Sequence, residues 1–250
     1  MPNTITATIA IGVLAGALAL TTGCGDDDGS DGGSGSSLPQ GSEPVELDPA
    51  DFTTEIDNPY WPMAPGSTWV YEETDAEGNV QRVEVAVTER TRSILGIAAT
   101  VVHDVVTEDG VVREDTWDWY AQDESGNVWY LGEDTKELED GKVVSTKGSW
   151  EAGRDGAQPG IDMPAQPEVG MSYRQEYYAG EAEDAAEVLS LDERVEVPYG
   201  SFGDVLMTRD YTPLDPNALE HKYYGLGTGP VLVVGLSGGR EELVSFESAP

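Results

Sequence analysis

Gly235-Leu236-Ser237-Gly238-Gly239 has the G-x-S-x-G spacing of a serine nucleophile elbow. That chemistry needs a strand before the serine, a helix after it and a histidine later in the chain. Val231 to Val234 can supply the strand. Arg240-Glu241-Glu242-Leu243-Val244 instead reads as a returning strand, and no histidine lies beyond His221. The motif is therefore expected to be a hairpin turn. Gly225-Leu226-Gly227-Thr228-Gly229 has the glycines of a dinucleotide loop, but the third comes one residue early and no βαβ unit surrounds it. It too reads as a loop.

Metal and acid–base chemistry have little material. His103 falls on the face of Ile97, Ala99, Val101 and Val105 and is expected to be a partly buried, hydrogen-bonded histidine. His221, between Glu220 and Lys222, reads as a surface residue. The single cysteine, Cys24, excludes a disulfide framework and any cysteine-based zinc site. No metal or other cofactor is expected. Paired carboxylates would suffice for a glycosidase-like hydrolase, but 48 Asp and Glu single out no pair.

Two constellations could bind a ligand. Glu193 shares the face of Leu189, Leu191, Val195 and Val197, where an unpaired carboxylate is costly to bury. A three-residue turn at Tyr199-Gly200-Ser201 would set Arg209 diagonal to it, giving a Glu193–Arg209 pair inside a concavity. The alternative is a bulge that turns Glu193 outward. Six Trp and eleven Tyr stand against three Phe, so most rings carry a polar handle. Trp117 and Trp119 share a strand face, Trp129 lies across the next hairpin, and Trp150 opens a long irregular stretch. Together they could line an apolar or carbohydrate pocket. Ordinary core packing is the alternative.

The elements that would position these residues are strands. Val83, Val85 and Val87 alternate with polar neighbours, as do the runs around Ile97–Val105 and Leu189–Val197. Turn signals recur at Glu108-Asp109-Gly110, Ser125-Gly126-Asn127, Asp140-Gly141 and Ser237-Gly238-Gly239. Ala182 to Leu191 is the one helical candidate, and its second half fits a strand better. The expected fold is all-β, a strongly curved antiparallel sheet forming a half-barrel or open barrel, with a β-sandwich as the alternative. Glu151 to Gly170, rich in Pro and Gly, is expected to be a long loop, either a lid or a crossover.

Residues 1–23 carry no charged side chain and an apolar run from Ile5 to Leu20, as a signal peptide does. Leu20-Thr21-Thr22-Gly23-Cys24 resembles the lipobox of bacterial lipoproteins, with its leucine one place early. The resemblance implies lipidation at Cys24 and a membrane anchor through that lipid. Residues 24–50, rich in Gly, Ser and Asp, are expected to be a disordered tether. Asp26-Asp27-Asp28 lacks the spacing of a calcium loop. Residues 51–250 then form one domain. The formal charge of −35 excludes a general nucleic-acid binder and a basic membrane patch.

The runs Asp118–Asp123 with Gly126–Glu133, Val195–Phe202 and Lys222–Gly227 resemble a group of uncharacterised secreted bacterial lipoproteins. That group is distantly similar to the half-barrel domains of the LolA and LolB type, which hold apolar ligands in a concave sheet. The resemblance implies a lipid-anchored, extracytoplasmic envelope protein without catalytic residues, binding an apolar ligand or a protein partner. A hydrolase and a structural adaptor without a ligand are the alternatives.

Overall fold

In the computed structural model, which describes residues 38–249, the chain follows strand with strand. They are β1 (Phe52–Thr53), β2 (Thr68–Thr74), β3 (Val80–Ile94), β4 (Ile97–Glu108), β5 (Val111–Asp123) and β6 (Val128–Glu139). Then come β7 (Lys142–Ser145), β8 (Trp150–Glu151), β9 (Gln158–Met163), β10 (Ser172–Arg174) and β11 (Glu176–Tyr177). The last five are β12 (Ala185–Val197), β13 (Gly200–Thr212), β14 (Asp215–Gly225), β15 (Gly229–Gly235) and β16 (Arg240–Glu247). A single 3-10 turn, Pro49–Asp51, precedes β1. Ala182 to Leu191 enters β12, so no helix forms there.

Local turn chemistry explains the hairpins. Leu95-Gly96, Asp109-Gly110 and Asp140-Gly141 each join two strands with positive φ at both residues. Such turns match the right-handed twist of the strands they connect. Thirteen strands run antiparallel in the order β10-β12-β13-β14-β15-β16-β2-β3-β4-β5-β6-β9-β11, and β1, β7 and β8 attach beside them. The sheet nearly closes into a barrel with one seam, an all-β fold as the alternation predicts.

The stretch from Glu151 to Gly170 is not a free loop. It contains β9, which pairs with β6 on one side and β11 on the other. Proline is tolerated in sheets at edges and irregular positions, and Pro159 sits beside the seam. There the chain changes partner at Gln175: β10 pairs with β12 and β11 with β9. Gly160 lets this crossing lie flat, because a Cβ there would stand 2.2 Å from the Gln175 carbonyl oxygen. Gly160→Ala is expected to cost about 3 kcal/mol by overpacking against backbone. Gly200→Ala, in open space, should change stability by less than about 0.5 kcal/mol. Urea unfolding of the two variants checks both.

Residues 38–50, expected to belong to the tether, lie on the barrel instead. Arg174 N–H donates to the Pro39 carbonyl at 2.8 Å, and Gln40 Nε2 donates to the Ser172 carbonyl at 2.6 Å. The buried Arg174 guanidinium donates to the carbonyls of Gly41, Glu43 and Pro159. This strap therefore holds both sides of the seam. At the opposite strand ends, Trp61 plugs the barrel edge-on to Trp69 (5.4 Å between centroids) and Tyr120 (6.4 Å). Asn58 Nδ2 fixes that plug by donating to the carbonyls of Gly126 and Pro164.

Candidate functional site

Alternation along each strand decides what faces the barrel interior. Trp69 and Tyr71 point inward on β2, so Glu73 does as well. Val85 faces Trp69 on one side and Asp104 on the other, which brings Asp104 onto the same inner face. The same bookkeeping around the ladder brings in Asp118, Glu133, Asp210, Glu220, Lys222 and Glu241. All are buried. The unexpected feature is thus a belt of carboxylates inside the barrel.

Three pairs of acids stand directly opposite one another across strands: Glu73 and Glu241, Asp118 and Glu133, Asp210 and Glu220. Like charges so placed repel, and burial strengthens the repulsion. Each pair is therefore relieved by taking up protons or by holding a cation.

The third pair holds its own. Lys222 Nζ lies 3.2 Å from Asp210 Oδ2, with Glu220 and Asp162 close enough to act on its charge. Thr208 Oγ1 and Gln175 Nε2 also donate to Asp210. Burial opposes the Lys222 charge, yet Asp210, Glu220 and Asp162 hold it above the usual lysine range. Burial pushes Glu220 up to about 7 and Asp162 up to about 6, with Lys222 pulling each the other way. The Tyr173 hydroxyl in this group is buried without a hydrogen-bond partner.

Lys222 also draws on the other two groups, lowering Glu241 and Glu176 without offsetting their burial. In one, Glu241 and Asp104 stand with Glu73: burial, then repulsion from Glu73 and Asp104, holds Glu241 well above the carboxylate range, and burial, then repulsion from Asp118, Glu114 and Glu73, does the same to Asp104. Glu241 is 0 % exposed, and neither of its carboxylate oxygens has a hydrogen-bond partner. In the other, Asp118, Glu133 and Glu176 repel one another. Tyr130 O–H donates to Asp118 at 2.7 Å, and Trp150 Nε1 donates to Glu176 at 2.6 Å. Burial pushes Asp118 up to about 7 despite the Tyr130 bond, and Glu133 and Glu176 well above their usual range. Among the described residues no group of three or more His, Cys, Asp and Glu is arranged to hold a metal ion.

The tryptophans do not converge. Trp117 and Trp119 share the outer face of β5, Trp117 stacked on His103 at 3.8 Å and Trp119 beneath the Arg92 guanidinium at 4.0 Å. Trp129 donates to Asp123 beside Phe52. Of these four only Trp150 reaches the acidic belt, edge-on to Tyr130, while Trp61 hydrogen-bonds Asp162 there. The Glu193–Arg209 pair does not form either. The turn after Val197 is tighter than expected, because Val197 faces Gly200, and β12 carries three register shifts against β13. Glu193 consequently faces Val205, and Arg209 faces and pairs with Glu187.

His103 is half-buried on the outer face, its Nε2 3.2 Å from Asp115. His221 is part-buried rather than fully exposed. Gly235–Gly239 and Gly225–Gly229 are the β15–β16 and β14–β15 turns, as expected. Cys24 and Asp26–Asp28 lie outside the described residues.

The acidic belt had one sequence signal. Val102-Asp104-Val106, Thr208-Asp210-Thr212 and Glu220-Lys222-Tyr224 keep a period of two, with the charged residue in phase with buried ones.

No family model matches the chain, and no curated protein matches it in sequence. Two solved structures resemble it. One is an inferred exported protein with a YmcC-like fold from Bacteroides fragilis, 13 % identical with a TM-score of 0.45, over 76 % of this chain and 99 % of that one. The other is an inferred lipoprotein from Parabacteroides distasonis, 11 % identical with a TM-score of 0.41, over 75 % and 98 %.

Proposed function

We propose that the chain is a lipid-anchored, extracytoplasmic envelope protein whose barrel binds a cationic solute without transforming it. One observation carries the ligand class: three opposed carboxylate pairs line the interior, and Lys222, the one buried lysine among the described residues, ion-pairs with Asp210. A wall of that kind disfavours the apolar ligand that a LolA-like concavity would hold, since an alkyl chain leaves buried acids unanswered. The anchor rests on the lipobox-like run ending at Cys24 and on the polar stretch that follows it.

Thermal unfolding with added cations tests the ligand class. Potassium, calcium and primary amines, each against a neutral lipid, should be compared near pH 8 and near pH 5. A saturable stabilisation by one cation class near pH 8 that fades near pH 5, where carboxylates take protons instead, is the expected result. Stoichiometric retention of a neutral lipid, with no response to any cation, would overturn the reading.

A further inference from the structure

Resting on the lipid-anchored reading, we propose that the barrel stands on the bilayer by its plugged end, through an aromatic rim of Tyr60, Tyr199, Phe202, Leu226 and Phe246. The strand order brings these residues together. The β12–β13 and β14–β15 turns, the end of β16 and the loop carrying Trp61 all lie at the end where β2 begins. Tyr199 N–H donates to the Leu243 carbonyl at 3.0 Å, and Gly227 N–H to the Pro59 carbonyl at 2.7 Å. Tyr199 stacks on Phe202 at 6.3 Å and meets Phe246 edge-on at 6.4 Å. The Phe202 ring lies against Gly225, next to Leu226. Tyr199 is 44 % exposed and Leu226 53 %, with Tyr60, Phe202 and Phe246 half-buried around them.

Charge distinguishes this end from the other. Its hairpin turns hold one acid, Glu124, whereas those at the other end hold Asp75, Glu77, Asp109 and Asp140. Val80, Val111 and Leu236 are exposed at that other end too, but among those acids. A chain of charge −35 is repelled by anionic lipid, so contact with a bilayer has to be apolar. Asp57, Asp204 and Glu247, exposed beside the rim, confine that contact to headgroup depth, where amphipathic rings settle. The anchor supplies the proximity. Leu38, the first described residue, is 14 residues beyond Cys24. Such a length spans at most about 50 Å when extended, little more than the roughly 40 Å of a 13-residue strand such as β12. A lipid on Cys24 therefore keeps the barrel beside the membrane, whose surface covers the rim. A second copy fits the rim less well, because it would bring two strongly acidic chains together.

The experiment uses the lipidated protein in phosphatidylcholine vesicles. Cys24 is the single cysteine, so its lipidation leaves no free thiol, and a nitroxide can be attached at Leu226→Cys or at Leu236→Cys alone. These leucines are equally exposed, 53 % each, at opposite ends of the barrel. Collision with a water-soluble nickel chelate is expected to be about threefold or more lower at Leu226 than at Leu236, as for a side chain about 5–10 Å into the headgroup boundary. Adding Tyr199→Asp, which sets a charge in the rim, should bring the two sites within about 1.5-fold of each other. Circular dichroism confirms the fold of each variant. Equal collision at the two sites, with the protein still bound to vesicles, would overturn the orientation and leave the anchor standing. Shielding of Leu226 with spin–spin broadening that disappears on dilution by unlabelled protein would assign the rim to a second copy and overturn it as well. Uptake of the label by the unsubstituted chain would show Cys24 unlipidated and overturn the anchor, and this orientation with it.

Discussion

Lys222→Met is expected to lower the unfolding free energy by about 3–5 kcal/mol near pH 8, the usual cost of leaving a buried charge without its partner. Methionine keeps the length and apolar stem of lysine, so packing on β14 is nearly preserved and the loss is electrostatic. It leaves Asp210 and Glu220 directly opposed with Asp162 beside them and no ammonium among the three. Near pH 5 the same substitution should cost far less, on the order of 1 kcal/mol. There Glu220 and Asp162, held at about 7 and about 6, are already protonated in the folded state and need no counter-charge. Lys222 itself stays charged throughout, because its neighbours hold it above the usual lysine range. Urea unfolding at the two pH values measures the difference. An equal loss at both would mean that Lys222 contributes through packing and that the belt is not electrostatically strained.

That lysine illustrates what the sequence made legible and what it hid. Strands and turns could be read because short-range chemistry specifies them, as at Asp109-Gly110 and Asp140-Gly141, whose positive φ suits those residues. The phase of β4 could not be read, because both of its faces are buried in part. Val101 and Val102 are adjacent and both buried, Val101 beside Trp119 and Val102 beside Asp118. His103 lies on the outer face with Ile97, Ala99 and Val101, whereas Asp104 points into the barrel. The Glu193–Arg209 geometry failed for another reason. Bulges on β12 shift the register three times, and a bulge leaves no mark in a hydrophobic pattern. Pro159 and Gly160 made β9 look like loop, although the seam needs that glycine.

The unmodified protein should lose stability as pH rises from about 5 to about 8, by at least about 3 kcal/mol. The sign follows from the direction of the shifts. Asp118, Glu220 and Asp162 all bind protons more tightly folded than unfolded, at about 7, about 7 and about 6. Their stabilisation is complete below the ordinary carboxylate range and drains away as pH passes through those values. Glu220 alone, moved from 4.5 to about 7, accounts for roughly 3 kcal/mol at about 1.4 kcal/mol per unit. The exterior acts in the same direction, since a chain of charge −35 repels itself more as its acids ionise. Salt separates the two contributions: surface repulsion is screened near 0.5 M NaCl, where the Debye length falls to about 4 Å, while buried pairs are screened much less. A decline that persists in salt and flattens in Glu220→Gln places its origin inside the barrel. Because a bound cation would answer the same charges that protons answer at low pH, a cation that binds the interior should restore near pH 8 much of the stability that deprotonation removes. A stability curve that rose from pH 5 to pH 8 would remove the premise on which the cationic ligand rests.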